Sequence, residues 1–270
     1  MIDFFHHVQT AALTDTGRVR KNNEDAFLSL PRDGFFAVAD GMGGGSAGEV
    51  ASRMVVESLA EHLEGSAEES PGERKCALLG ALREANARVR SHAESNRFKS
   101  MGSTAVCLLL DPWNPARALL CHAGDSRAYC FRNAELFQLT TDHTVGESLK
   151  KQNLPETQFD QLLLRAVGTD KRLDPEWTET AVCPDDLFIL CSDGLTRMVD
   201  DAAFAGLVGT ADTPENTAAA LVSAALENGG KDNVTVLLVK IANTLPPPLE
   251  VDELDRKESD LLMEVAERKT

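Results

Sequence analysis

Residues 116–139, Ala116-Arg117-Ala118-Leu119-Leu120-Cys121-His122-Ala123-Gly124-Asp125-Ser126-Arg127-Ala128-Tyr129-Cys130-Phe131-Arg132-Asn133-Ala134-Glu135-Leu136-Phe137-Gln138-Leu139, hold three apolar runs separated by very short connections. Ala116–His122, Arg127–Arg132 and Glu135–Leu139 read as strands. Such connections fit antiparallel hairpins and leave no room for the crossover that a parallel pair needs. Working outward, strands are also expected at Val8–Leu13, Phe35–Ala39, Thr104–Leu110, Leu187–Cys191 and Val234–Ile241, each bounded by Gly, Pro, Asp or Asn. Helices interrupt them. Ser46 and Glu49 match an S-x-x-E capping box, after which Val50, Met54 and Leu59 recur near helical spacing. A second helix is expected over about Glu73–Ala93, with Leu78, Leu82, Ala85 and Val89 on one face. Shorter helices are expected at Val145–Gln152, Gln158–Ala166 and Glu215–Leu226. The pattern predicts an α+β sandwich, with sheets in the middle and helices outside.

The composition excludes several function classes. Of the 270 residues 43% are apolar, which excludes a mostly disordered chain. Lys and Arg number 27 against 43 Asp and Glu, a formal charge of −16 that speaks against general nucleic-acid affinity. No run approaches the length of a membrane helix. Met1–Thr10, with acidic Asp3, is not a signal peptide. The six cysteines show no C-x-x-C spacing and read as reduced, so the expected place is the cytoplasm. No histidines sit at ligand spacing, and adjacent His6-His7 cannot face one way on a strand, so zinc is not expected.

Two stretches fall outside the strand-and-helix frame. Thr141–Trp177 is longer than a routine connection, either a flap beside a site or surface decoration. After Ile241, Pro246-Pro247-Pro248 makes a stiff spacer. Val251, Leu254, Leu261 and Val265 then mark one face of a charged helix. Residues 1–242 are read as one core and residues 243–270 as a Pro-rich linker with an acidic amphipathic segment.

Five aspartates carry the chemistry, each in its own short motif: Asp25 in Asn23-Glu24-Asp25, Asp40 in Asp40-Gly41-Met42-Gly43-Gly44, Asp125 in Gly124-Asp125-Ser126-Arg127, Asp193 in Ser192-Asp193-Gly194, and Asp232 in Lys231-Asp232-Asn233. Three follow apolar runs, where a strand gives way to a loop. Mg²⁺ and Mn²⁺ take hard oxygen ligands, and aspartates at strand ends supply them. Singly, each motif also reads as an ordinary turn, with Asp125 and Arg127 solvated. A nucleotide P-loop is disfavoured at Gly41–Gly45, because the Lys-Ser/Thr ending is absent.

In this combination the chain resembles the metal-dependent serine/threonine protein phosphatases of type 2C, in their compact bacterial form. The matching residues are Thr14-Asp15-Thr16-Gly17-Arg18-Val19-Arg20 with Asn23-Glu24-Asp25; Asp40-Gly41-Met42-Gly43-Gly44 with Gly48-Glu49; and Met101-Gly102-Ser103-Thr104. They continue in Gly124-Asp125-Ser126-Arg127-Ala128-Tyr129, Asp142-His143, Ser192-Asp193-Gly194-Leu195, and Gly230 with Asp232-Asn233-Val234-Thr235. Order and spacing fit from about residue 8 to 241.

The resemblance implies a four-layer α-β-β-α sandwich, two mostly antiparallel sheets flanked by helix pairs, with two to three Mg²⁺ or Mn²⁺ ions in the cleft. By resemblance Asp40 bridges two metals, Asp193 and Asp232 complete the first, and the Gly41 carbonyl and Glu24 serve the second, with Asp25 close by. Asp125 with Asp193 matches the third-metal position, Arg20 the phosphate-gripping arginine, and about 141–177 the flap. It also implies hydrolysis of phosphoserine or phosphothreonine in proteins by direct attack of a metal-bridging water, with a Ser/Thr kinase as counterpart and a monomer as the expected form. Many eukaryotic members place His where this chain has Met42, which cannot donate a proton, so a water near Asp125 is the candidate acid. The alternatives are a phosphatase of narrow remit for one regulatory partner and an inert scaffold, which keeping every metal carboxylate disfavours.

Overall fold

Two-residue alternation along Phe35–Gly43 (β3) decides which way each side chain faces. Phe35, Ala37 and Ala39 pack against helices Ala47–Leu63 (α1) and Pro71–Asn96 (α2) through Val55, Leu59, Leu78 and Leu82. Phe36 and Val38 face the other way, onto Leu190, Leu237 and Val239 of the second sheet. That sheet turns Ile189, Val236 and Leu238 outward onto Leu195, Phe204, Leu221 and Val222. A computed structural model of the chain describes residues 6–43, 46–155 and 157–268. Gly44 and Gly45 of the glycine-rich loop, Met1–Phe5 and Lys269-Thr270 lie outside the described residues.

One sheet runs Asp25–Leu30 (β2), β3, Ala105–Leu110 (β5), Arg117–Ala123 (β6) and Glu176–Ala181 (β9), with Met101–Ser103 (β4) beside the end of β3. The other runs Val8–Asp15 (β1), Val234–Ile241 (β11), Leu187–Cys191 (β10), Arg127–Arg132 (β7) and Glu135–Gln138 (β8). Every strand pair among the described residues is antiparallel. Helices Asp193–Thr196 (α4), Asp201–Thr210 (α5) and Pro214–Glu227 (α6) cover the second sheet's outer face. The α-β-β-α sandwich expected from the sequence is therefore present. Among the described residues, no helix is long and apolar enough to cross a membrane.

Several local expectations are corrected. Arg127–Arg132 and the following strand do form a hairpin, β7–β8, but Ala116–His122 and Arg127–Arg132 do not pair, because β6 and β7 belong to different sheets. At Gly124, where φ is +117°, the backbone exchanges bonds with His143 instead of continuing a ladder: Gly124 N–H donates to His143 Nδ1 at 3.2 Å, and His143 N–H donates to the Gly124 carbonyl at 3.0 Å. Ser46 precedes α1 but accepts no capping bond, and Glu49 instead pairs with Arg53 at 2.6 Å. The reciprocal capping box lies at Ser70 and Glu73, opening α2. Val145–Lys151 forms the expected helix (α3), but Gln158–Ala166 is turn and isolated bridge. Its backbone is held by distant partners: Val145 N–H donates to the Leu162 carbonyl, Leu164 N–H to the His143 carbonyl, and Thr144 bridges Leu163. Strands β2 and β9 and helix α5 escaped the apolar-run reading.

The C-terminal helix Glu253–Arg268 (α7) packs along α2. Its buried side is Ser259 and Ala266, flanked by Leu262 and Met263, whereas Leu254 and Leu261 of the expected apolar face are exposed. Gly72 decides this register. A Cβ there would lie 2.3 Å from the Ser259 carbonyl oxygen, and its N–H donates to Ser259 Oγ at 2.9 Å. The linker adds Leu245 and Leu249 to the central core, and Leu249 N–H donates to the Trp113 carbonyl. These contacts lie near the Phe35 end of β3; five residues of strand, about 17 Å, separate Phe35 from Asp40. Truncation after Ala242 is expected to lower Tm by about 5–10 °C, the equivalent of about 2–3 kcal/mol, measured by scanning calorimetry. An unchanged Tm would show that the segment adds nothing to stability.

Candidate metal centre

Asp40 continues the inward series Phe36, Val38 on β3 and so faces the cleft between the sheets. Asp25 on β2 is its direct cross-strand partner. Two ionised carboxylates about 5 Å apart would repel by about 3 kcal/mol at an effective dielectric near 20, so the pair is favoured only with one of them protonated or with a cation beside them. Asp25 Oδ2 instead accepts hydrogen bonds across the sandwich, from Ser192 Oγ and Thr235 Oγ1, both at 2.7 Å. The Ser103-Thr104 motif holds the backbone of Asp40: Asp40 N–H donates to Thr104 Oγ1 at 3.0 Å, and its carbonyl accepts from Thr104 N–H at 2.8 Å and Ser103 Oγ at 3.0 Å.

The remaining acids arrive from three loops. Asp125 sits where the chain passes from β6 to β7; it is 7% exposed and therefore not a solvated turn residue. Arg127 is not free either, gripping Asp142 through two bonds of 2.8 and 2.7 Å. Asp193 opens α4 after β10. The preceding strand and the following Gly194 bring it against the Asp232-Asn233 turn, where a Cβ on Gly194 would lie 1.9 Å from the Asn233 carbonyl oxygen. Asn233 fixes the other side. It accepts from Glu24 N–H at 2.8 Å and donates to the Thr16 and Asn22 carbonyls at 2.9 Å each. The Glu24 side chain fills the space that a Cβ at Gly48 would take, and the Gly48 carbonyl fills that at Gly41.

One cavity of about 540 Å³ is lined by Arg20, Glu24, Asp40, Gly41, Asp125, Asp193 and Asp232. Asp25 does not line it and stands behind Asp40. Arg20 Nη2 lies 2.7 Å from Asp232 Oδ2 at the rim. Met42, without a titratable proton, lines the same space. Arg197 was missed by the sequence reading: Nη2 lies 2.5 Å from Asp193 and 3.4 Å from Asp125. Its i+4 spacing from Asp193 on a helix was the available signal.

A family model for protein phosphatase 2C matches residues 17–228. The chain belongs to the protein phosphatase 2C family. A serine/threonine phosphatase stp of Listeria innocua is 33% identical over 238 residues, 84% of this chain and 93% of that one. The serine/threonine protein phosphatase PstP of Mycobacterium tuberculosis is 35% identical over 240 residues, 86% of this chain but 45% of PstP. The crystal structure of the PstP catalytic domain in complex with two manganese ions superposes with a TM-score of 0.78 at 33% identity, covering 87% of this chain and 99% of that one. PppA, described as a key regulatory component of T6SS in Pseudomonas aeruginosa, superposes at 0.79 with 34% identity, covering 87% and 98%.

The electrostatics of this phosphatase 2C cleft fit hard divalent cations. Burial, and then the charges of Asp25, Asp193, Asp125 and Asp232, hold the Asp40 carboxyl well above the usual carboxylate range. Burial first, then neighbouring acids, raises Asp25 to about 6 and Asp193 to about 7. Burial also raises Asp125 and Glu24. Asp25 Oδ1 and Asp193 Oδ1 are buried without a hydrogen-bond partner. Buried carboxylate oxygens without a hydrogen-bond partner and with suppressed ionisation fit a role as cation ligands.

A histidine cluster, not anticipated from sequence spacing, adjoins the centre. His122 and His143 stack at 4.4 Å with an interplanar angle of 10°, and Glu176 Oε2 lies 3.2 Å from His143 Nε2. Parallel rings keep their in-plane lone pairs from converging, and Arg165 Nη1 lies 3.3 Å from His143 Nε2. Burial lowers the His143 pKa to about 4, leaving it neutral near pH 7. The cluster ties Glu176 of β9 and His143 to Gly124, beside Asp125.

Raised folded-state values mean that the folded protein holds these protons more tightly than the unfolded chain. Their stabilising contribution is complete below about pH 4 and is lost as pH rises through about 6 for Asp25 and 7 for Asp193. Any divalent cation held by these carboxylates would compete with those protons. The gain in Tm on adding Mn²⁺ is therefore expected to grow from pH 5.5 to pH 8, measured by differential scanning fluorimetry. A gain independent of pH would mean that these carboxylates do not hold the cation.

Proposed function

We propose that this chain hydrolyses phosphoserine and phosphothreonine in proteins and needs Mn²⁺ or Mg²⁺ to do so. One observation carries the reading: carboxylates remote in sequence line a single cavity with Arg20 at its rim. Asp40, facing the cleft between the sheets, is proposed to touch two cations, with Asp193 and Asp232 completing the first and Glu24 and the Gly41 carbonyl serving the second. Asp25, held by Ser192 and Thr235, is proposed to lie close to the second cation. When bound, paired divalent cations neutralise the ester dianion and lower the pKa of a shared water towards neutrality.

The protein's own groups supply orientation and proton handling. Arg20, with its fork half-exposed, can turn from Asp232 to two oxygens of a phosphate in a bidentate grip. Met42 cannot protonate the leaving seryl or threonyl oxygen. Asp125, buried with a raised pKa beside Asp193, is proposed to support that protonation, alone or with a third cation. Residues 1–242 are proposed to carry the chemistry, and a Ser/Thr kinase is the proposed counterpart. A cytoplasmic place and a monomeric form are proposed.

Turnover of p-nitrophenyl phosphate and of a phosphothreonine peptide is expected to require added Mn²⁺ or Mg²⁺ and to vanish in EDTA. Full activity after exhaustive chelation would remove the metal reading. Asp40→Asn is expected to abolish nearly all turnover of both. Asp125→Ala is expected to cost about 10²–10⁴-fold on the peptide and much less on p-nitrophenyl phosphate, whose leaving group needs little protonation. Equal losses on the two substrates would assign Asp125 to binding or folding instead.

A further inference from the structure

Four large apolar side chains stand half-exposed or more between residues 154 and 164: Leu154 at 50%, Phe159 at 57%, Leu162 at 60% and Leu164 at 51%. Scattered exposed leucines are ordinary, but a cluster of this kind marks a contact surface. Leu162 and Leu164 also line the cavity that holds Asp40 and Arg20. Their backbone is pinned by tertiary bonds: the Leu162 carbonyl accepts from Val145 N–H at 2.9 Å, Leu164 N–H donates to the His143 carbonyl at 2.7 Å, and Leu163 bridges Thr144. Leu163 lines the same cavity and is less exposed than Leu162 and Leu164. This is a fixed apolar wall.

The centre and the wall share one space. A phosphoresidue seated against Arg20 brings its neighbours in the substrate chain into range of the wall, since each residue advances the chain by at most about 3.6 Å. An acidic neighbour would meet a protein of formal charge −16 and gain nothing from leucine. An apolar neighbour would cover Leu162 and Leu164 and release the water over them. We propose that Leu162 and Leu164, with Phe159 beyond them, form a subsite for an apolar side chain flanking the phosphoresidue. The substrate class is thereby narrowed to phosphoserine or phosphothreonine segments with Leu, Ile, Met or Phe beside the phosphorylated position. This inference rests on the phosphatase reading above.

The test compares two phosphothreonine peptides that differ only in carrying Leu or Ser at the flanking positions, on the wild type and on Leu162→Ser/Leu164→Ser. The readout is the ratio of kcat/KM for the two peptides within each protein, so it is independent of the variant's basal rate. The wild type is expected to favour the Leu peptide by about tenfold, the lower range for an apolar contact in a specificity site. The double variant is expected to bring the ratio to about one. Both positions are exposed, so the substitutions spare the core. Hydrolysis of both peptides at equal rates by the wild type, or a ratio preserved in the variant, would overturn the subsite while leaving the phosphatase reading intact. Failure to turn over either peptide or p-nitrophenyl phosphate with Mn²⁺ would instead remove that reading, and the subsite with it. A wild-type dimer that the double variant converts to a monomer in sedimentation, without any peptide preference, would make the patch an interface between copies and overturn the proposal.

Discussion

Like charges gathered in a cleft repel more strongly than the same charges in water, and the fold must hold them together against that force. Asp25 and Asp40 oppose each other across β2 and β3, and Asp125, Asp193 and Asp232 add to the field at Asp40. Their positions come from backbone bonds and from hydroxyl and amide side chains: Thr104 and Ser103 on Asp40, Ser192 and Thr235 on Asp25, Asn233 on the Glu24 segment. The sandwich behaves as a frame that stores repulsion at one end, to be relieved by cations.

That view explains residues that touch no proposed metal. Gly41, Gly48 and Gly194 leave room where two backbones, or a backbone and Glu24, must meet closely. Gly124, at positive φ, sends the chain from one sheet to the other and leaves Asp125 at the crossing. Arg127 and Asp142 lock the far side of that crossing through a two-bond fork. Arg20 and Arg197 offset part of the negative charge at the rim, each against a carboxylate the cations would also use.

Stability and chemistry are drawn from opposite ends of the same strand. Near Phe35, the buried Arg74 guanidinium donates to the Leu110 and Asp33 carbonyls, and α7 closes over this end through Gly72 and Ser259. Near Asp40, side chains are polar and partly unsatisfied. A strand well buried at one end can hold like charges at the other, because the apolar faces of β3 are covered by both neighbouring layers.

Local pattern determined much of this molecule. Apolar runs bounded by Gly, Pro, Asp or Asn specified most of the strands, helical spacing specified α1, α2 and α6, and short motifs marked Asp40, Asp125, Asp193 and Asp232, which line one cavity. These features are legible because each depends on a few adjacent residues. Other features were not. Whether β6 pairs with β7 depended on Gly124 finding His143, and Gln158–Ala166 lost its helix to bonds with His143, Val145 and Thr144. The capping box moved from Ser46 to Ser70, and the buried face of α7 was chosen by Gly72 from a different part of the chain. The exposure of Leu162 and Leu164, the pairing of Arg197 and the meeting of His122 with His143 likewise required distant segments to arrive. Sequence settles what a residue can do with its neighbours in the chain. Which of its possible partners it receives is decided by packing, where long-range contacts of similar energy compete and only the assembled fold selects among them.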